Sequence, residues 1–330
     1  MPTKKPHFVK NFSARFACLL AVLLLGGCGG PWNNPNPQYD DDLVVYQSVI
    51  SPRPPKHLDP AKSYASDESL FLMQIYEPPM GYHYLKRPYE LIPLSVETFP
   101  DVAYLDADRS EVEEGSEAIA YTRYTLKVRE DEHYQPHPAF ALNEEGQPLY
   151  LFATAAEGAR YKQVPDFPVT GSRPVHANDY AYAIKRLADP ELGSPMLGFM
   201  GRYIVGMSDF SEQVGDIPRD GWLNLDDFDM AGLEVLDERT LAITINGQYP
   251  QFVYWLAMHF FSPIAPEVDR FYHNPGFKER NLTLDWWPVG SGPFMMVVND
   301  PNSEIVLERN PNFREEFFPE EGEPGDREAG

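Results

Sequence analysis

The sequence predicts a loop-rich α+β fold, and three observations carry that prediction. Hydrophobic residues make up 43% and aromatic residues 13% of the 330, too apolar for a disordered chain, while 33 prolines count against a helical bundle. In residues 288–313, P-V-G-S-G-P-F-M-M-V-V-N-D-P-N-S-E-I-V-L-E-R-N-P-N-F, apolar runs at 294–298 and 305–307 flank Asn299-Asp300-Pro301-Asn302-Ser303, which is turn chemistry between two strands. Tyr180, Ala183, Ile184 and Leu187 recur at i, i+3, i+4 and i+7, the stripe of a core-facing helix that Asp189-Pro190 ends. A chain of this length holds about two ordinary domains and can bury a large core.

The N-terminus specifies a compartment. Lys4, Lys5, Lys10 and Arg15 form a positive region without an acid, and residues 16–25 are an apolar run that leads into Leu25-Gly26-Gly27-Cys28. Ten helical residues span about 15 Å, half of a bilayer core, so the run reads as the apolar part of a signal peptide and not as a transmembrane helix. Small residues ahead of a cysteine look like a bacterial lipobox, in which cleavage leaves Cys28 as a lipidated N-terminus. Cys18 lies in the discarded leader, so no disulfide framework is expected. Residues 28–42, with Pro31, Pro35 and Pro37 among polar residues, read as a flexible tether. The net charge of −23, which the loss of residues 1–27 makes more negative, excludes a polyanionic nucleic-acid partner, because phosphate contact needs a basic face.

The expected elements follow in order. Residues 43–49, L-V-V-Y-Q-S-V, read as the first strand. Leu58-Asp59-Pro60 turns the chain; Ser66 is expected to cap a helix with Asp67 and Glu68 in its first turn, running on to Ile75, Tyr76 and Glu77. Residues 121–128 alternate, with Tyr124, Leu126 and Val128 on one buried face. Residues 130–175 are polar and proline-rich. There the i, i+4 spacing of His133 and His137 suggests a metal pair, but Pro136 argues against the helix that would align them, so both read as solvated loop histidines. The helix from His176 serves as scaffold. Asp227, Asp229, Gly232 and Glu238 fall on EF-hand positions, yet Ala231 occupies a ligand position and the flanks are strands: residues 233–236, a turn at Asp237-Glu238-Arg239, then Leu241, Ile243 and Ile245. Pro250 begins a helix with Phe252, Val253, Leu256 and Phe260 inward. Finally, Gly290-Ser291-Gly292 can place backbone very close to a ligand or adopt positive φ, and Pro293 fixes entry into the strand; such a loop suits a cleft wall.

These segments, in this order, resemble the extracellular solute-binding proteins of family 5, the oligopeptide and dipeptide receptors of ABC importers. The family's L-D-P and later Y-E correspond to Leu58-Asp59-Pro60 and Tyr76-Glu77. Its Y-T-F-x-L-R strand corresponds to Tyr124-Thr125-Leu126-Lys127-Val128, and its V-T-A-E-D-V-V-F-S-L-K-R-L-A-D-P helix to residues 175–190, identical from Lys185 to Pro190. Its V-x-D-D-x-T-L-x-I hairpin corresponds to residues 235–243, G-T-G-P-Y to Gly290-Ser291-Gly292-Pro293-Phe294, and I-V-L-E-R-N-P-N-Y to residues 305–313. The resemblance covers residues 43–313. It implies the first lobe of a two-lobed, periplasmic-binding-protein-like (type II) α+β fold, with a subdomain inserted at approximately 61–245. Residues 314–330 form an acidic tail, ahead of which the family would continue into a second lobe, so the chain reads as truncated before it.

The implied function is a lipid-anchored receptor in the bacterial cell envelope, facing the periplasm or the exterior, that delivers an oligopeptide or similar small solute to the permease subunits of an ABC importer. No catalysis, cofactor or metal is implied. Candidate ligand-binding residues are Gly290, Ser291, Gly292, Tyr76 and His57, and Cys28 is the candidate lipid attachment. Two departures stand out. Tyr76-Glu77 is followed by Pro78-Pro79 where the family has Gly-Leu. The loop Pro52-Arg53-Pro54-Pro55-Lys56-His57 also lacks the acid that some oligopeptide receptors carry before L-D-P. The other function classes are a lipid-anchored structural or adhesive surface protein, which needs no cleft, and a hydrolase using Ser291. The latter lacks both the G-x-S-x-G elbow and a histidine in triad context.

Overall fold

The computed structural model describes residues 44–48, 54–319, 322 and 325. The leader, Cys28 and the tether lie outside the described residues. The chain divides into two units, Met1–Pro52 and Arg53–Gly330. In the first, residues 44–48 form no strand, and Val44 and Tyr46 are 102% and 90% exposed, so the strand expected at 43–49 does not form over its described residues. β-branched residues supply propensity only; a strand also needs a partner for its N–H and C=O groups, and residues 44–48 join no ladder.

The second unit opens with α1 (Ser66–Ile75). Its N-cap is Ala65 and not Ser66. The capping work falls to Glu68, whose carboxylate accepts from the backbone of Lys56 (3.2 Å), His57 (3.0 Å) and Ala65 (3.3 Å) and from the Ser63 hydroxyl (2.6 Å). A short hairpin of β1 (Met80–Tyr82) and β2 (Leu91–Pro93) follows.

The main sheet joins β3 (Asp101–Leu105), β4 (Glu111–Val112), β5 (Tyr121–Lys127), β6 (Leu233–Val235) and β7 (Thr240–Asn246), antiparallel throughout, in the order β4-β3-β5-β7-β6. β5 buries Thr122, Tyr124 and Leu126 on one face, as its alternation predicts. β7 is buried at every residue from Leu241 to Ile245, because elements cover both its faces. On one side lies α2 (Ala177–Ala188); elsewhere Val205 N–H donates to Thr244 O (3.1 Å) and Ile204 bridges Ile245. α2 begins where His176 N–H donates to the Asp179 carboxylate (2.9 Å). The Tyr180, Ala183, Ile184 and Leu187 stripe is buried, but so is every other residue of α2 except Asn178.

Small helices α3 (Leu197–Met200), α4 (Met207–Gly215), α5 (Phe252–Trp255) and α6 (Pro266–Tyr272) complete the unit. α5 ends sooner than Phe260, which is buried instead in the short turn His259–Phe261. The 130–175 segment is polar in composition but packs inward. Tyr161 stacks on Phe167 at 4.0 Å, Tyr150 meets Phe167 at 4.9 Å, and Phe167 meets Phe271 at 5.3 Å, ring centre to ring centre. His137 is not solvated: it is 1% exposed, its Nδ1 accepts from Ala139 N–H (3.1 Å), and its Nε2 lies 3.0 Å from the Tyr272 hydroxyl. Burial pushes its pKa down to about 3, so the ring is neutral.

The predicted hairpin forms from β8 (Phe294–Asn299) and β9 (Ile305–Arg309), with a bulge at Val297. Asp300 closes its turn, its side chain accepting from Asn302 N–H (3.0 Å) and its carbonyl from Ser303 N–H (3.0 Å). β8 packs on α1, and the hairpin shares no ladder with the five-stranded sheet.

Candidate functional site

The loop ahead of β8 meets the end of α1. Gly292 N–H donates to Ile75 O (2.8 Å), taking a carbonyl that the last turn of the helix leaves free. Gly290 is held from its other side, where its N–H donates to Gln135 Oε1 (3.2 Å) and its carbonyl accepts from Gln135 N–H (3.0 Å). A Cβ on Gly290 would lie 2.0 Å from Ile75 O, and one on Gly292 would lie 2.7 Å from Ile75 C. The close backbone approach, expected toward a ligand, is made to the chain's own helix, and neither glycine adopts a positive φ. Ser291 between them is 1% exposed and its Oγ makes no hydrogen bond of good geometry. Among the described residues no histidine is hydrogen-bonded to it, and the acid beside it is Glu132.

Tyr76 packs beside this loop, 1% exposed, with its hydroxyl donating to Leu58 O (3.4 Å). Burial raises its pKa well above the ordinary value, so it is a neutral phenol in the packing. His57 lies at the surface, its Nδ1 3.2 Å from Asp285 Oδ1, and Lys62 Nζ donates to the other oxygen (3.0 Å). The structure therefore brings Tyr76 together with Gly290, Ser291 and Gly292, and of the five candidates only His57 is exposed.

Two buried ion networks hold these segments. Arg186 of α2 is 2% exposed and donates to both oxygens of Asp59 (2.9 and 2.8 Å) and to Asp269 (3.2 Å), which also accepts from Tyr182 OH (2.7 Å) and Trp222 Nε1 (2.9 Å). Burial alone would raise the Asp59 pKa, but the Arg186 guanidinium outweighs it and holds the carboxyl below its usual range. The Leu58-Asp59-Pro60 turn is thus clamped to the Lys185-to-Pro190 motif.

The second network closes on the segment after β9. Asn310 N–H donates to Pro293 O (2.8 Å) and its side chain to Gly292 O (2.9 Å); Asn312 donates to Tyr134 O (2.8 Å). Arg314 then forms a two-pronged pair with Glu77 (2.5 and 2.6 Å) and reaches Glu132 (3.0 Å). Burial, and then the neighbouring Glu77 charge, raise the Glu132 pKa well above the carboxylate range. Ser291 is near enough to favour the ionised form slightly, but this does not offset burial. Sequence reasoning missed Arg186, Arg314, Glu77 and Glu132 as a pair of networks. The only available signal was their presence beside the motifs of segments that must converge.

Comparison with known proteins gives this arrangement a context. Residues 171–325 match the family model described as bacterial extracellular solute-binding proteins, family 5 Middle. The dipeptide-binding protein DppE of Bacillus subtilis is 26% identical over 183 residues, covering 54% of this chain and 29% of the relative. The periplasmic oligopeptide-binding protein OppA of Salmonella typhimurium is 26% identical over 147 residues, covering 42% of this chain and 23% of the relative. The matched regions thus span less than a third of these relatives' own length. Among solved structures, the peptide-binding pheromone receptor PrgZ aligns at TM-score 0.50 and 15% identity, over 79% of this chain and 38% of that one. That likeness is one of fold, an α+β fold of the type II periplasmic-binding-protein class.

Proposed function

We propose that the chain, whose residues 171–325 match the model of the bacterial extracellular solute-binding proteins of family 5, is part of a peptide-binding receptor of an ABC importer and not an enzyme, tethered to the membrane by a lipid on Cys28 and delivering its solute to a permease. The observation that carries this reading is the family match itself, since residues 171–325 include α2, β7, the Gly290-Ser291-Gly292 loop, the β8–β9 hairpin and Arg314. The two buried networks support it physically. A solute-binding wall has to hold its geometry while another part of the receptor moves against it, and side chains locked by buried ion pairs meet that need. Tyr76 and the loop act by fixing that wall, and His57 is the candidate able to meet a solute directly. Residues 43–313 act as one lobe, with the segment at about 61–245 as its inserted part.

Calorimetric titration of the receptor, expressed from its complete reading frame, with a mixed oligopeptide library tests the proposal. Saturable heat and a ligand-dependent rise in Tm are expected. Neither would be seen for an adhesive or structural surface protein. Metabolic labelling with a fatty-acid analogue should give a labelled band that Cys28→Ala abolishes; a band that persists in that variant would rule out the anchor.

A further inference from the structure

We propose that Arg314 is the latch that holds the segment leaving β9 against the body of the unit, with Glu77 as its fixed counter-charge. Residues 310–314 carry no regular secondary structure, yet they are pinned at three places: Asn310 on Gly292 and Pro293, Asn312 on Tyr134, and Arg314 on Glu77. The first two pins are neutral hydrogen bonds. The third is a charge-assisted, two-pronged pair between an Arg314 side chain 10% exposed and a Glu77 side chain 6% exposed, and such pairs are about twice as strong as neutral bonds. The Arg314 guanidinium also lies 4.8 Å over the Phe313 ring, which orients it. Beyond the latch, Phe318 meets Tyr84 edge to face at 5.2 Å, so the segment continues along the β1–β2 hairpin that Glu77 precedes.

The charge balance identifies which acid does the holding. Glu77 takes both guanidinium prongs, whereas Glu132 receives one bond at 3.0 Å and its Oε1 is buried without a partner. Other charged groups near the site do not compensate a second carboxylate: Arg129 is bonded twice to Asp131, and Glu316 adds a further negative charge 3.8 Å from Arg314. Ser291 and Tyr180, which also face Glu132, are neutral. Two ionised acids against one cation would leave a net charge in a site where Glu132 is 1% exposed, so burial and the Glu77 charge favour the protonated form of Glu132. In a two-lobed receptor the latch would fix the end from which a connecting segment starts, a role that rests on the receptor reading, whereas the latch itself does not.

The experiment is hydrogen exchange by mass spectrometry on the full chain, following the amides of Asn310, Asn312 and Phe313 against those of β5 and β7. Arg314→Met and Glu77→Gln should each speed exchange in residues 310–314 by roughly tenfold or more, the worth of one or two buried charged bonds, and leave β5 and β7 unchanged. Arg314→Lys, which keeps charge and size but loses the two-pronged geometry, should fall between. Glu132→Gln should stay within twofold of wild type, because Glu77 takes both guanidinium prongs and the amide oxygen can still accept the one bond that Glu132 receives. Unchanged exchange at 310–314 in Arg314→Met and Arg314→Lys would overturn the proposal. So would an equal acceleration throughout β5 and β7, which marks a general stability role. If Arg314→Met does not fold, Arg314→Lys and Glu77→Gln decide between the same outcomes.

Discussion

Replacing Gly290 by alanine tests the tightest contact of the candidate site. The added Cβ would stand 2.0 Å from Ile75 O, 2.7 Å from Ile75 C and 3.0 Å from Tyr76 Cδ1. Ordinary contact needs more than 3 Å, so the loop or the end of α1 must move by about 1 Å, and the obstacle is backbone that cannot swing aside. Such a shift breaks or stretches three hydrogen bonds: Gly290 N–H to Gln135 Oε1, Gln135 N–H to Gly290 O, and Gly292 N–H to Ile75 O. At about 1 kcal/mol each these come to about 3 kcal/mol, and overpacking adds roughly 1–3 kcal/mol. For a unit of this size 1 kcal/mol moves Tm by about 2 °C, so a total of about 4–6 kcal/mol predicts a fall of roughly 8 °C or more. The assay is thermal unfolding followed by circular dichroism. Gly198→Ala is the matched control, because a Cβ there meets nothing within 4 Å, and it should be neutral or slightly stabilising. A Gly290→Ala Tm within 2 °C of wild type, a margin set at roughly the shift for 1 kcal/mol, would refute the argument that the loop is locked against α1.

Two further outcomes follow from the buried charges. Arg186→Met should cost about 3–5 kcal/mol in urea unfolding, because it leaves Asp59 and Asp269 buried without their cation, and adding Asp59→Asn should recover part of that loss; a double variant no better than the single would sink the pairing. His137, held neutral with a pKa of about 3 in the fold against 6.5 unfolded, binds a proton only when the chain unfolds. Its contribution is therefore complete above pH 6.5 and lost as pH falls, by up to about 1.4 kcal/mol per unit between the two values. Its ring resonances should not titrate between pH 7 and 4.5, and a midpoint near 6.5 would place it in solvent.

The sequence alone determined what local chemistry controls. The β8–β9 hairpin appears where apolar runs flank Asp300 and Pro301, β5 alternates from Thr122 to Leu126, and α2 starts after His176 and ends before Pro190. Those signals need only neighbours in the chain. Tertiary structure decided whatever depends on partners distant in sequence. Residues 44–48 have strand composition but join no ladder. His137, in a polar and proline-rich stretch, is buried because aromatic rings from Phe271 and Tyr272 close around it. The glycine loop has the composition of a ligand-facing wall, and only the position of Ile75 shows that its close approach is made within the chain. Arg314 and Glu77 stand 237 positions apart, and nothing in either segment's local pattern distinguishes a guanidinium that solvates from one that finds a buried carboxylate. Burial converts an ordinary surface charge into a structural bond, and burial is a property of the assembled fold.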